Sequence, residues 1–234
     1  MVALGNFLFR HRNKLFPVFY LLLFVPSPDV TERFRLMLGL GFAVSILGQV
    51  IRIGTVGLKY IVRGGWDRRV YAEKLVTEGI FAHCRNPLYV GNLLTLAGLG
   101  IMSNSLVFNL VATPLFIFMY QAIVRAEEAF LREEFGEAYE RYTEDVNRWV
   151  PNPRGLGETL SSMEFNWVRV LVKEYTTVYI WLTGAVVVTM EVFATRADAR
   201  VFRMHWEWGA IALVALFVLY VSVMTLKRQR VLRA

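Results

Sequence analysis

Six apolar runs, separated by charged segments, limit what this sequence can fold into more than any other feature. They occupy residues 15–25, 34–51, 87–102, 106–124, 178–194 and 208–226. A helix that crosses the hydrocarbon core of a bilayer needs about 20 mostly apolar residues, and the last five runs come close to that length. The first run is shorter and contains Pro17. The sequence therefore predicts an all-α, polytopic membrane helix bundle with about six transmembrane helices, or five if the first run is a half-span.

The composition agrees with a membrane protein. Hydrophobic residues make up 56% of the sequence and charged residues only 19%, whereas a soluble protein is usually about one-quarter charged. The formal net charge of +7 is not concentrated in a basic stretch with interleaved aromatic residues. We therefore expect the positive charge to contact anionic membrane lipids, and we expect no nucleic-acid partner. The single cysteine, Cys84, excludes an intrachain disulfide.

The distribution of Lys and Arg predicts how the helices are oriented. With six spans and a cytoplasmic N-terminus, all but five of the 26 Lys and Arg residues fall in segments on the cytoplasmic side. Cytoplasmic segments of membrane proteins carry such an excess of positive charge. The connection at residues 103–105 has no charge, as expected for a tight turn on the opposite side. We therefore predict an inner- or plasma-membrane protein with both termini and its active site in the cytoplasm.

Most of the polar chemistry lies in two long segments on the predicted cytoplasmic side, roughly 52–86 and 125–177. The sequence has no low-complexity stretch, Gly/Ser-rich linker or repeat of fixed period. We therefore predict a single integral-membrane domain over residues 1–234. The last two apolar runs form a C-terminal two-helix extension at 178–226, which we expect to anchor the chain or to pack against the other helices.

The first of these segments ends in a favourable helix start. Asn86 is a preferred N-cap residue and Pro87 a preferred first helical residue, so the third span should begin there. The start of a helix presents unpaired N–H groups and a partial positive charge. With His83 and Arg85 beside it, this end could bind a carboxylate or a phosphate. The alternative is that Arg85 extends to a lipid phosphate while Asn86 only caps the helix.

The second segment places a carboxylate beside a row of aromatic residues. A series of residues here is spaced three or four positions apart, which predicts that they share one helix face. Its members are Glu128, Leu131, Phe135, Tyr139 and Tyr142. Glu127 is rotated by about 100° from that face. A carboxylate on an apolar face near a bilayer is costly unless it has a partner or a function. The alternative is an ordinary surface pair between Glu128 and Arg132.

Together the two segments resemble a known family, the isoprenylcysteine carboxyl methyltransferases and phospholipid methyltransferases of membranes. The resemblance covers about residues 75–151 and rests on two motifs, TEGIFAHCRNPLYVG and EEAFLREEFGEAYERYTEDVNRWVP. The matching positions are Gly79, Phe81, Arg85, Asn86, Pro87, Tyr89, Gly91, Glu127, Glu128, Phe135, Gly136, Tyr139, Tyr142 and Pro151. Each motif is weak alone, but both occur in order and each adjoins an apolar run.

The resemblance implies an enzyme that uses S-adenosylmethionine and releases S-adenosylhomocysteine. It implies that Arg85 and Glu128 are the catalytic pair. The residues implied to bind the cofactor are His83, Asn86, Pro87, Tyr89, Gly91, Glu127, Tyr139, Tyr142, Val150 and Pro151. The tyrosine rings would face the sulfonium cation, and Val150 with Pro151 would help to close the pocket. Gly91 would leave room for the cofactor or for a neighbouring helix.

The acceptor stays open at this stage between a phospholipid amine, an isoprenyl-type carboxylate and a small apolar molecule. Asn86 replaces the histidine usual in the isoprenylcysteine branch, and an asparagine there is more like bacterial phospholipid-type members. Phe81 replaces a common tyrosine. The three histidines have no metal-ligand spacing, so we predict no metal site. One alternative function is a non-catalytic lipid-binding protein that keeps the family shape. The other is a small transporter, which is disfavoured because no polar path crosses the apolar runs.

Overall fold

The computed structural model describes residues 1–58, 70, 72–229 and 231–232. The described part contains eight α-helices: α1 Val2–Tyr20, α2 Phe34–Leu58, α3 Pro87–Ser103, α4 Thr113–Phe135, α5 Glu137–Asp145, α6 Leu156–Ser162, α7 Trp167–Arg196 and α8 Ala199–Arg228. Short 3₁₀ turns follow α1 at Leu21–Phe24 and precede α3 at Gly79–Ala82, and a π-helical turn at Phe108–Ala112 leads into α4. The predicted all-α membrane helix bundle is confirmed.

Four helices within the described residues are long and apolar enough to cross a membrane. They are α2, the continuous stretch Phe108–Phe135, α7 and α8. The third predicted span corresponds to α3, an apolar helix of 17 residues whose start at Pro87 agrees with the sequence prediction. The apolar runs predicted as spans are shorter than α2, α7 and α8, because these helices continue into the charged segments beside the runs. Helix α4 also continues past residue 124, as the predicted helix face through Glu128 and Phe135 required.

The prediction for the first apolar run, 15–25, was wrong in its limits. Helix α1 begins at Val2, so Arg10, Arg12 and Lys14 lie within it rather than before it. Pro17 lies inside the helix. The aromatic side chains of α1 pack against α4: the ring of Phe16 meets those of Phe116 and Tyr120 edge to face. Helix α1 is therefore part of the packed bundle.

Among the described helices, α2 and α3 share the most extensive interface. A Cβ atom on Gly98 would lie 2.5 Å from the carbonyl oxygen of Gly41, and one on Gly48 would lie 2.5 Å from that of Gly91. Small residues let helix backbones approach closely in a membrane, where polar and van der Waals contacts replace the hydrophobic effect. These glycines hold α2 close to α3 at two levels, Gly41 against Gly98 and Gly48 against Gly91.

The other helices are arranged around this pair. Helix α4 packs on α1 and α3, α7 packs on α2 and α3, and α8 packs on α7. The outer side of α8 is apolar and exposed, with Val214 at 64% and Phe217 at 57% of their maximal exposure. At one end of the bundle, Arg196 of α7 pairs with Asp29, whose backbone bridges to Ser105 in the short turn after α3. The charged ends of α2, α3, α4 and α7 described below lie at the other end.

Candidate functional site

The segment after α5 crosses directly over the start of α3. We name residues 146–153 the crossing segment. The backbone N–H of Arg85 donates to the carbonyl oxygen of Asn147 at 2.9 Å, and the backbone N–H of Asn152 donates to the carbonyl oxygen of His83 at the same distance. The side-chain amide of Asn86 donates to the carbonyl oxygen of Arg148 at 3.2 Å. These bonds fix the two segments, far apart in sequence, side by side at the edge of the helix bundle.

Three charged side chains meet beneath this crossing, and we name them the Glu128 cluster. Arg148 donates through Nε to Oε1 of Glu128 at 2.8 Å and through Nη2 to Oε2 at 2.7 Å. Nη1 of Arg85 lies 3.3 Å from the same Oε1. The Glu128 side chain is only 5% exposed, so its charge requires such partners. The Glu128 carboxylate raises the pKa of Arg148, because it accepts hydrogen bonds from the charged guanidinium.

The cluster carries more positive than negative charge. Two guanidinium groups face one carboxylate, and the buried Nε of Arg85 has no hydrogen-bond partner among the described residues. Buried donors are nearly always satisfied by a partner, so an orphan donor requires an explanation. The cluster is therefore able to accept one further anionic or hydrogen-bond-accepting group.

Glu127 belongs to a separate hydrogen-bond system. The hydroxyl of Tyr89 donates to Oε1 of Glu127 at 2.6 Å, and Arg12 of α1 donates to the same hydroxyl at 3.4 Å. The adjacent carboxylates of α4 thus point into different surroundings, one toward α1 and α3 and the other toward the crossing segment. Of the two, Glu128 is the one that lies beside Arg85.

The predicted continuous face from Glu128 to Tyr142 was wrong. Helix α4 ends at Phe135, and Gly136 has a φ of +48°, a left-handed conformation that breaks the helix before α5. The surface pair between Glu128 and Arg132 was also wrong, because Arg132 pairs with Glu140 instead. The reversal folds α5 back, so that its tyrosines reach the Glu128 cluster from another direction.

Tyr139 and Tyr142 of α5 line the cluster. Tyr139 is almost fully buried, and burial raises its pKa to about 12, although the nearby Arg85 acts to lower it. The Tyr142 hydroxyl donates to the carbonyl oxygen of Phe81 at 2.7 Å, and burial raises its pKa above the usual value. Both phenols therefore stay neutral at physiological pH. Tyr89 stands apart from this pair, beside Glu127 and Tyr120.

Other predicted site residues have structural partners. Both ring nitrogens of His83 are engaged at 2.8 Å, one with the carbonyl oxygen of Asn152 and one with the hydroxyl of Thr159. Asn86 precedes α3 as predicted, but its side chain donates to the crossing segment and does not cap the helix. Pro87 occupies the first helical position.

The structure also shows what surrounds Gly91, Val150 and Pro151, whose predicted roles were to leave room for the cofactor or to close its pocket. Gly91 lies against the side chain of Arg52 and the backbone of Gly48, so the neighbouring helix takes the room that its missing side chain leaves. Val150 is 69% exposed and Pro151 is also exposed, so both lie at the outer surface of the crossing segment.

Several polar residues near the site were missed by sequence analysis: Arg12, Arg52, Arg148 and Glu174. Each was counted as one of many charges near a membrane surface, and no spacing rule links residues so far apart in the chain. The signal available for Arg148 was its position directly before Trp149 and close to the motif proline at 151. No group of three or more His, Cys, Asp or Glu side chains that could hold a metal ion occurs in the described part of the chain.

Comparison with known proteins bears on this geometry. Residues 35–138 match the phospholipid methyltransferase family. The resemblance to the membrane methyltransferases is confirmed. The region that matches the methyltransferase family includes α2, α3 and α4, and with them Arg85, Tyr89, Glu127 and Glu128, whereas Arg148 lies outside it. Together with the four apolar helices, this places the chain among integral membrane proteins.

Individual relatives are named either as a metal resistance protein or as methyltransferases. The cobalt-zinc-cadmium resistance protein CzcN of Cupriavidus metallidurans is 40% identical over 141 residues, which are 58% of this chain and 62% of that protein. A protein-S-isoprenylcysteine O-methyltransferase of Schizosaccharomyces pombe is 41% identical over 81 residues, one-third of each chain. A probable protein-S-isoprenylcysteine O-methyltransferase of Oryza sativa is 28% identical over 116 residues, 47% of this chain and 59% of that protein.

The chain spans less than two-thirds of the length of each of these relatives. No solved structure matches it.

Proposed function

We propose that this protein transfers a methyl group from S-adenosylmethionine to a lipid-like acceptor at the cytoplasmic surface of the membrane. The observation that carries the proposal is the 3.3 Å approach of Arg85 to Glu128. Both residues lie in the region that matches the phospholipid methyltransferase family. Arg85 directly precedes the start of α3, and Glu128 lies about two turns before the end of α4. A water-soluble methyl donor and a membrane-dissolved acceptor can meet at such a place.

The residues present suit S-adenosylmethionine. The surplus guanidinium charge, and the Nε of Arg85 that no described residue bonds, offer partners for its carboxylate. The rings of Tyr139 and Tyr142, which are neutral, provide electron-rich faces of the kind that attract a sulfonium cation. When bound, the cofactor supplies a methyl group activated by the positive sulfur. Arg85, Glu128, Tyr139 and Tyr142 are the residues we expect to surround it.

The contribution of the chain to catalysis is mainly positioning. Methyl transfer is an in-line displacement, so holding the two reactants in line and excluding water provides much of the acceleration. For a carboxylate acceptor no proton has to be removed, and Arg85 orients the acceptor oxygen. For an amine acceptor Glu128 takes the proton, as a general base does. In the structure both carboxylate oxygens of Glu128 also accept hydrogen bonds from Arg148, so opening these bonds would free an oxygen for the proton of the acceptor.

The proposed function is tested by incubating the purified protein with radiolabelled S-adenosylmethionine and membrane lipid, and then identifying the labelled product. We expect Glu128→Gln and Arg85→Gln to lower the rate by a factor of about 100 or more. Glu133→Gln is the matched control, because Glu133 is an exposed carboxylate on the same helix.

Binding of S-adenosylhomocysteine, measured by calorimetry in detergent, provides the second measurement. Wild-type protein that neither binds this compound nor labels any lipid would overturn the proposal and favour the non-catalytic lipid-binding function.

A further inference from the structure

Arg148 has no assigned role, yet it makes the strongest contact in the Glu128 cluster. Its guanidinium forms two parallel hydrogen bonds to Glu128, at 2.8 and 2.7 Å. Such bidentate pairs are strong and geometrically specific. The residue lies outside the part of the chain that matches the methyltransferase family, residues 35–138. Its position is nevertheless built into the fold, because the crossing segment is bonded to residues 83–86 on both sides of Arg148.

Arg148 is also the member of the cluster that reaches the surface. Its side chain is 31% exposed, compared with 12% for Arg85 and 5% for Glu128. The backbone of Arg148 is fixed, since its carbonyl oxygen accepts from Asn86. Its long side chain is the part that can change partner. A ligand entering from the solvent side would therefore meet this guanidinium before the buried pair.

Charge balance indicates what kind of group it would meet. Glu128 accepts two hydrogen bonds from the Arg148 guanidinium, and Arg85 lies 3.3 Å away with an Nε that has no partner in the described part of the chain. If an anion binds to Arg148, Glu128 can retain Arg85 as its partner, and each charge in the cluster stays paired. A neutral or cationic group would instead leave the Arg148–Glu128 bonds intact. The arrangement thus favours a carboxylate or a phosphate.

We propose that Arg148 is a ligand-binding residue that exchanges Glu128 for an anionic group, a carboxylate or a phosphate, of the methyl donor or of the acceptor lipid. The exchange releases Glu128 to Arg85 and makes its second oxygen available to the reacting groups. This inference rests on the proposed function, since it assumes the same site.

To test whether Arg148 binds the carboxylate of the methyl donor, the binding of two nucleosides to the full-length protein is measured by calorimetry in detergent. S-adenosylhomocysteine has a carboxylate, and 5′-methylthioadenosine lacks it. If Arg148 holds the donor, Arg148→Gln weakens S-adenosylhomocysteine binding by about 10-fold or more and leaves methylthioadenosine binding unchanged. Arg148→Lys should fall in between, because lysine keeps the charge without the bidentate geometry.

To test whether Arg148 binds an anionic group of the acceptor, the thermal stabilisation of the protein by dodecyl phosphate and by uncharged dodecanol is compared in a nonionic detergent. If Arg148 holds the acceptor, Arg148→Gln removes the stabilisation by dodecyl phosphate relative to dodecanol, while binding of both nucleosides stays as in the wild type. Arg154→Gln is the matched control, because Arg154 is exposed and adjoins the crossing segment without contacting Glu128.

Two outcomes overturn the inference. One is an Arg148→Gln variant that binds all four compounds as the wild type does. The other is a variant that loses binding of the carboxylate-bearing and carboxylate-free nucleosides equally, which would show a purely structural role. Failure of the wild type to bind either nucleoside is distinguishable, because it contradicts the proposed function itself.

Discussion

Arg52 and Glu174 form a buried ion pair that joins α2 to α7. Nη2 of Arg52 lies 2.8 Å from Oε2 of Glu174, and the two side chains are 6% and 1% exposed. The same guanidinium also donates to the side chain of Asn92 and to the carbonyl oxygen of Leu88, both in α3. One arginine therefore connects three helices at the end of the bundle that holds the Glu128 cluster, and it links α7 to the start of α3.

We expect Glu174→Ala to destabilise the protein by about 3–5 kcal/mol, because removal of one partner leaves the Arg52 charge buried without compensation. Thermal unfolding in detergent measures the loss. Glu140→Ala, which breaks the half-exposed pair with Arg132, is the control and should cost no more than about 1 kcal/mol. Equal losses in the two variants would contradict a structural role for the buried pair.

Gly48→Ala tests the close contact between α2 and α3. The added methyl group would lie 2.5 Å from the carbonyl oxygen of Gly91 and 2.6 Å from the hydroxyl of Thr95. The helices must separate to accommodate it, and we expect a loss of about 1–3 kcal/mol. Gly39→Ala on the same helix is the control, since among the described residues no atom outside its own helix backbone and its two chain neighbours lies within 4 Å of the added methyl group. That variant should be neutral or slightly more stable, because alanine favours helix.

The fold could be predicted largely from the sequence, because long apolar runs have few solutions in a membrane other than helices. The helix start at Pro87 was also predicted, since a proline at the first helical position is a local signal. The helix that continues through Glu128 to Phe135 was predicted as well, but its break at Gly136 was not. A glycine within a helical pattern is tolerated, and only the tertiary contacts of Tyr139 and Tyr142 explain why the chain turns there.

The site could be predicted only in part. Arg85 and Glu128, the pair that the resemblance implies to be catalytic, lie 3.3 Å apart, and their role in catalysis stays a prediction. Arg148 could not be predicted, since it reaches Glu128 only after α5 has folded back and the crossing segment has bonded to residues 83–86. The roles of Arg52 and Glu174 depend on how α7 packs, and a local pattern contains no information about that.

Cys84 should be unreactive in the folded protein. The residue is fully buried, and burial raises the pKa of its thiol. The thiolate is the reactive form, so a raised pKa slows alkylation at every pH below it. We expect maleimide to modify Cys84 only after denaturation. Ser161→Cys adds one exposed thiol and should bind one equivalent rapidly. Rapid labelling of the wild type under native conditions would contradict the buried position.

Alkaline pH should destabilise the protein partly through Tyr139. Its pKa is raised from 10.0 to about 12 in the folded state, so the phenol is held protonated there while the unfolded chain ionises. The resulting stability is fully present below pH 10 and is lost as the pH rises to about 12. Tyr139→Phe cannot ionise and should lose less stability across this range. Denaturant unfolding at pH 9, 10 and 11 compares the two proteins, and parallel losses would contradict the assignment.

Arg12 should attach α1 to the Tyr89–Glu127 pair. It donates to the Tyr89 hydroxyl, which in turn donates to Glu127, so the chain of bonds runs from α1 through α3 to α4. Hydrogen bonds to charged groups contribute about 1.5–3 kcal/mol, and we expect Arg12→Gln to lower thermal stability by an amount near the lower end of that range. Arg10→Gln is the control, because Arg10 is exposed two residues earlier on the same helix. If both variants unfold at the same temperature as the wild type, the bond from Arg12 contributes nothing, and aromatic packing alone holds α1 against the bundle.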